Sequence, residues 1–174
     1  MEYVVLVDEK NTVLGKSPKS DVHSTDTPLH RGFSFFLFNS KHQLLITKRA
    51  DTKKTFPGVW TNTVCGHPAP EESAVTAAGR RLSHELGIEN VVIREVSPYR
   101  YRFADVNGIV ENEICPILVG VSDIEPKINP DEVSDWKWIA WTDFLDGTKK
   151  NPDMYSPWCI EEAVIVEKLH VLDG

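Results

Sequence analysis

Long apolar runs, paired cysteines and an excess of basic residues are all missing from this sequence. No hydrophobic stretch approaches the roughly 20 residues that cross a bilayer, so no membrane partner is expected. The first residues, Met-Glu-Tyr-Val-Val-Leu-Val-Asp, have no basic n-region and no small-residue cleavage site, which argues against a secretory signal. Cysteine is scarce: Cys65, Cys115 and Cys159 are odd in number and widely spaced. A disulfide framework is therefore not expected, and a reducing cytoplasmic setting fits better. Lys and Arg total 19 against 26 Asp and Glu, a formal net charge of -7. That balance excludes broad nucleic-acid binding, which wants a basic face. A small anionic ligand is compatible with it only where local cations or a metal overcome the overall field.

What is present is ordinary globular material. The 174 residues are 41% hydrophobic and 26% charged, enough for one core and one domain spanning 1–174. Tyr3–Asp8 reads as a strand, with a turn at Glu9-Lys10-Asn11 into a second one, and Pro18 to Pro28 as a polar loop. Gly32–Phe38 and Gln43–Thr47 flank Asn39-Ser40-Lys41 and read as a buried hairpin. Trp60–Val64 is a short strand after the turn Thr55-Phe56-Pro57-Gly58. Val75, Ala78, Leu82 and Leu86 recur at helical spacing and predict a helix over Glu72 to Leu86, closed by Gly87. Arg81 and Glu85 lie one turn apart on another face. The Tyr99–Phe103 alternation, the Asn107-Gly108 turn and the run Ile109 to Val121 predict a hairpin with one long second strand. Trp136–Trp141 adds a strand, and Ser156-Pro157 opens a last helix. The expected class is α+β, a mixed β-sheet flanked by helices.

Three clusters can carry chemistry. His23 and His30 bracket a polar loop, Cys65-Gly66-His67 ends a strand, and Glu111-Asn112-Glu113 follows the Asn-Gly turn. Side chains two apart on a strand share a face, so Glu111 and Glu113 face the same way and repel unless something positive lies between them. Alone, each cluster has an ordinary explanation: loop histidines are usually solvated, and a Glu-X-Glu strand is usually a wet edge. Together, three imidazoles and two carboxylates form a set for one divalent ion such as Mn²⁺, Zn²⁺, Fe²⁺ or Mg²⁺, with the nitrogens weighing against Mg²⁺. Lys48-Arg49 and Lys53-Lys54 form a candidate anion patch.

Gly66, Glu72, Arg80 and Glu85-Leu86-Gly87-Ile88 fall at the spacing of the Nudix signature, whose helical glutamates hold Mg²⁺ against a diphosphate. Here Arg81 and His84 stand where two of those glutamates are expected. Glu85 alone can still hold a substrate-bound Mg²⁺. The altered box disfavours a Nudix pyrophosphohydrolase. A non-catalytic metal or diphosphate-binding module would leave Cys65 and Glu113 without a reason to accompany the ligand set.

Three stretches carry a closer resemblance: His23-Ser-Thr-Asp-Thr-Pro-Leu-His30, Pro57 through Pro68 with Thr-Asn-Thr-Val-Cys-Gly-His-Pro, and Tyr99-Arg-Tyr-Arg102 followed by Gly108-Ile-Val-Glu-Asn-Glu113. These resemble type I isopentenyl diphosphate isomerases, a Nudix-fold branch, over nearly the whole chain. The resemblance implies a single domain with a Nudix-like core about 30–165. It also implies interconversion of isopentenyl and dimethylallyl diphosphate. His23, His30, His67, Glu111 and Glu113 then match the ligands of one divalent metal (Mn²⁺, Zn²⁺ or Mg²⁺). Cys65 and Glu113 match the catalytic pair, and Tyr101 a tyrosine hydrogen-bonded to that glutamate. Glu85, with the backbone carbonyl of Cys65, matches the site of a Mg²⁺ that arrives with the diphosphate. Lys19, Arg49, Lys53 and Arg81 match diphosphate-binding cations, and Trp158 the aromatic wall over the hydrocarbon. The implied partner is a small isoprenyl diphosphate, acted on by a monomer or homodimer.

Overall fold

The computed structural model of the chain describes residues 2–171; residue 1 and residues 172–174, at the ends of the expected domain, lie outside the described residues. In order, the elements are β1 (Tyr3–Val7), β2 (Val13–Pro18), α1 (Lys19–Val22), β3 (His30–Arg31), β4 (Phe33–Phe38), β5 (Gln43–Arg49), β6 (Trp60–Thr61) and β7 (Val64–Gly66). They continue with α2 (Ala74–Leu86), β8 (Ile93–Ser97), β9 (Arg100–Ala104), β10 (Val110–Ile114), β11 (Ile117–Val121), β12 (Val133–Ala140), α3 (Trp141–Lys150) and α4 (Pro157–Lys168).

The strands form two mixed sheets. One runs β2-β1-β3-β10-β9; the other runs β12-β5-β4-β11-β8, with β6 on β5 and β7 on β4. Parallel pairs occur in both, β3 with β10 and β4 with β11. Strand β4, Phe-Ser-Phe-Phe-Leu-Phe, is buried at every position, which is why its apolar run does not alternate. Its two faces serve two cores. Phe33, Phe35 and Leu37 pack with Leu82 and Leu86 of α2, and Phe36 and Phe38 pack with Phe144 of α3 and Trp158 of α4. Full burial of each such ring or branched side chain contributes about 1.5–3 kcal/mol.

Several expectations change in detail. The polar loop after Pro18 contains the short helix α1. Strands β4 and β5 pair only at Phe38↔Leu44 and then part, because β6 and β7 come between them. Thr63 fills the gap: its Oγ1 accepts from the Leu37 N–H at 2.8 Å and donates to the Leu45 carbonyl at 2.6 Å. Asn62 donates to the Phe35 carbonyl at 3.1 Å. The expected long strand Ile109 to Val121 is two strands in different sheets, since Cys115-Pro116 carries the chain across. In α2, Val75 is 38% exposed, and the buried face is Ala77, Ala78, Arg81, Leu82, Glu85 and Leu86. The Ser73 side chain caps this helix by accepting from the Thr76 N–H, and Gly87 ends it at φ 63°. Ser156 occupies the N-cap of α4 without a side-chain cap; its hydroxyl lies 2.7 Å from the Thr61 hydroxyl. Strand β8 and helix α3 are additional to the elements expected from the sequence.

Candidate active site

The two sheets meet at a cavity of about 470 Å³ lined by Lys19, His23, Arg49, Lys53, Cys65, His67, Arg81, Tyr101, Glu111, Glu113 and Trp158. These are the expected site residues save two. His30 is fully buried behind Glu113, and Glu85 is covered by its ion pair with Arg81.

One wall is the histidine–carboxylate cluster. The parallel register of β3 and β10 sets His30 opposite Glu113. Alternation along β10 turns Glu111 and Glu113 to the same side. The loop before β3 supplies His23, and the end of β7 leads into His67. The ligand atoms of His23, His30, His67, Glu111 and Glu113 all lie within 4.8 Å of one another. His23 Nε2 is 3.0 Å from Glu111 Oε2, and His67 Nε2 is 2.9 Å from Glu113 Oε1. His30 Nδ1–H donates to the Pro28 carbonyl at 2.8 Å, which leaves Nε2 as a lone pair facing inward. That Nε2 is buried with no hydrogen-bond partner among the described residues. An orphaned imidazole nitrogen among two carboxylates and two further imidazoles is the donor set of a divalent cation, and these residues fit one. Thr55 Oγ1 donates to Glu111 Oε1, and the Asn112 amide donates to the Thr27 carbonyl, fixing the loop that carries His23. Burial works against the Glu113 charge, yet His67 and His30 hold its carboxyl well below the usual carboxylate range. A Cβ at Gly32 would stand 1.8 Å from Glu113 Oε2, so only glycine leaves this carboxylate its place.

The thiol comes from the other sheet. Cys65 pairs with Ser34 across the β4–β7 ladder. Its Sγ–H donates to Asn62 Oδ1 at 3.1 Å, and its sulfur lies 3.7 Å from Ser34 Oγ. Burial, followed by the nearby Glu162, pushes the thiol up to about 12. The group is thus a neutral S–H at rest.

Aromatic rings form the floor. Trp158 stacks on Tyr101 at 5.7 Å between centroids, meets Phe56 edge-on at 5.0 Å, and has the Arg49 guanidinium 5.6 Å from its ring. Tyr101 stands across the ladder from Glu113, although no hydrogen bond joins the two side chains. Burial and then Glu113 drive its phenol pKa well upward.

The remaining wall is cationic. Arg49 is held by the carbonyls of Thr55 and Phe56, and Lys19 pairs with Glu2 at 2.7 Å. Arg81 binds Glu85 at 2.7 Å and Glu132 at 3.0 Å, and Lys53 also pairs with Glu132. Glu132 was not singled out in the sequence.

A family model described as NUDIX domain matches residues 28–159. A Saccharopolyspora erythraea protein named isopentenyl-diphosphate Delta-isomerase is 46% identical over 169 residues, covering 96% of this chain and 87% of its own. An Escherichia coli O157:H7 protein of the same name is 44% identical over 174 residues, covering 99% and 96%. The chain belongs to the isopentenyl-diphosphate Delta-isomerase branch of the NUDIX family. Among solved structures, one from Deinococcus radiodurans shares the fold at TM-score 0.75 with 22% identity, covering 97% of this chain and 99% of that one. A MutT protein from Methanosarcina mazei shares it at TM-score 0.65 and 17% identity, covering 87% and 99%. Arg81, at a position where the signature expects a carboxylate, neutralises Glu85 and Glu132, and His84 sits mostly exposed 3.5 Å from Glu132.

Proposed function

We propose that the protein interconverts isopentenyl diphosphate and dimethylallyl diphosphate by adding a proton to the terminal alkene carbon and removing one from the carbon next to the diphosphate-bearing methylene. The first event leaves a tertiary cation, and the second returns its missing electron pair as the moved double bond. Such a reaction needs one proton donor and one acceptor, arranged about the plane of the reacting carbons. Cys65 and Glu113 are the pair, exchanging roles with direction. Tyr101 acts beside Glu113, and the Trp158 face steadies the cation, an interaction of about 2 kcal/mol or more when water is excluded. Lys19, Arg49, Lys53 and Arg81 clamp the diphosphate and discourage its departure.

His23, His30, His67, Glu111 and Glu113 would hold a divalent metal. Three nitrogens favour Mn²⁺ or Zn²⁺ over Mg²⁺ there. When bound, the ion supplies fixed positive charge that keeps Glu111 and Glu113 together and tunes the carboxyl proton of Glu113. Glu85 and the Cys65 carbonyl would receive a Mg²⁺ carried by the diphosphate. The acidic chain turns its clustered cations inward, which suits a small anion rather than nucleic acid. Its three free thiols suit a reducing cytoplasm.

The observation carrying this reading is that the thiol and the metal-type carboxylate of Glu113 line one cavity, between an aromatic floor and a cationic wall. Incubation with isopentenyl diphosphate in D₂O, followed by NMR, tests it. Deuterated dimethylallyl diphosphate is expected; release of inorganic phosphate or pyrophosphate with no isomer would overturn the reading.

A further inference from the structure

One buried amide touches the reacting thiol and has no part in the reaction described above. Asn62, between β6 and β7, is 0% exposed. Both of its N–H groups are spent on backbone: Nδ2 donates to the Phe35 carbonyl at 3.1 Å and to the Val64 carbonyl at 3.2 Å. A flipped amide would set its oxygen against those two carbonyls, so the surroundings fix which end faces the thiol. That end is Oδ1. It accepts the Cys65 Sγ–H at 3.1 Å and the Thr61 hydroxyl at 2.9 Å. An amide oxygen has two lone pairs, and here both are filled.

Counting protons gives the direction of the neighbouring contacts. Cys65 spends its one proton on Asn62, so the Ser34 hydroxyl, 3.7 Å from the sulfur, meets it as the donor. Ser34 Oγ can then accept from the Cys115 thiol, 3.4 Å away. Thr61 also spends its proton on Asn62, so the Ser156 hydroxyl, 2.7 Å away, donates to Thr61. Two chains, Cys115 to Ser34 to Cys65 and Ser156 to Thr61, end on one oxygen. Links that point the same way polarise one another. The sulfur is gripped from behind by this network, while Cys65 lines the cavity.

We propose that Asn62 is a positioning residue for the reaction: its oxygen holds the Cys65 sulfur at the cavity wall with the thiol proton parked on the amide side. Rotation about Cβ–Sγ brings that proton to the alkene without moving the sulfur. As it leaves, the S–H electron pair stays on sulfur as a thiolate and the alkene pair forms the new C–H bond. The Ser34 hydroxyl already points at the sulfur that gains the charge. The kinetic half of this inference rests on the isomerase reading; the hydrogen bond to Asn62 does not.

The test combines infrared spectra of the S–H stretch in H₂O with kcat and KM for isopentenyl diphosphate, in the unmodified protein and in N62L. Loss of a band in C65S identifies the Cys65 band. In the unmodified protein that band lies below the frequency of an alkanethiol in an apolar solvent, because an acceptor weakens the S–H bond. In N62L it rises toward the unbonded frequency, a change that a merely structural amide would not give. Losing one hydrogen bond of this kind lowers kcat about tenfold, with KM unchanged. A Cys65 band at the unbonded frequency in the unmodified protein overturns the proposal, as does a folded N62L with an unshifted band or an unmodified kcat. If N62L does not fold, N62S, whose shorter side chain stops short of the sulfur, gives the same readouts with the same outcomes. If the unmodified protein fails to isomerise, the functional reading falls, and the spectra still decide whether Asn62 holds the thiol.

Discussion

Single side chains decide the chemistry. Removing the thiol in C65A, or the titratable carboxyl in E113Q, is expected to abolish most deuterium incorporation while the melting temperature of C65A stays near that of the unmodified protein. Near-normal turnover in either would remove the residue from its role. Glu132 sets a second expectation, in acid. Burial opposes its charge, but Lys53 and Arg81 lower its pKa from 4.5 to about 2. Below 4.5 the unfolded chain therefore binds this proton first, so the contribution of Glu132 to stability is complete above 4.5 and lost as pH falls through about 2. Chemical denaturation between these limits should show a shallower acid decline in E132Q; identical slopes would contradict the assignment. Neither Glu132 nor Glu162 was legible as special in the sequence. Both are acids beside other acids; Glu132 is set apart only by its half-buried place among cations, and Glu162 only by its full burial.

At the level of elements, local chemistry was readable wherever it repeats or caps. Helix α2 announces itself through its spacing and Gly87, and α4 through Ser156-Pro157. The break between β10 and β11 was not readable. Both halves are strands and the junction Ile114-Cys115-Pro116-Ile117 is apolar throughout, so Pro116 is the local mark of the break. The parting of β4 and β5 was hidden for a different reason: Thr63 replaces ladder hydrogen bonds to Leu37 and Leu45, 26 and 18 positions away, which no local pattern foretells. That wedge makes a prediction. In T63V the Leu37 N–H and the Leu45 carbonyl lose their partner. Each unsatisfied buried group costs about 1–3 kcal/mol, and the urea midpoint should drop accordingly with little change in m. An unchanged midpoint would show that the strands can close the gap by themselves.

The described residues build two sheets with the candidate site in their seam. The expected ligands were legible only as motifs, because their meeting depends on pairings such as His23 with Glu111, 88 positions apart. Composition and periodicity could supply the class of fold but not that encounter. A cation in the seam binds the folded form alone, so Mn²⁺ or Zn²⁺ at 100 times Kd should add ~2.7 kcal/mol to stability, read as a rise in melting temperature that EDTA reverses. No shift with any divalent ion would dismiss the metal centre. Glu132 has a last consequence at this scale. Before any ligand arrives, Lys53 and Arg81 already wear an internal counter-ion. On the proposed clamp, capturing a diphosphate is an exchange of one anion for another, and the far field drawing it in from solution is muted. Raising ionic strength should accordingly blunt kcat/KM only gently, and E132Q, with its cations uncovered, should respond more steeply.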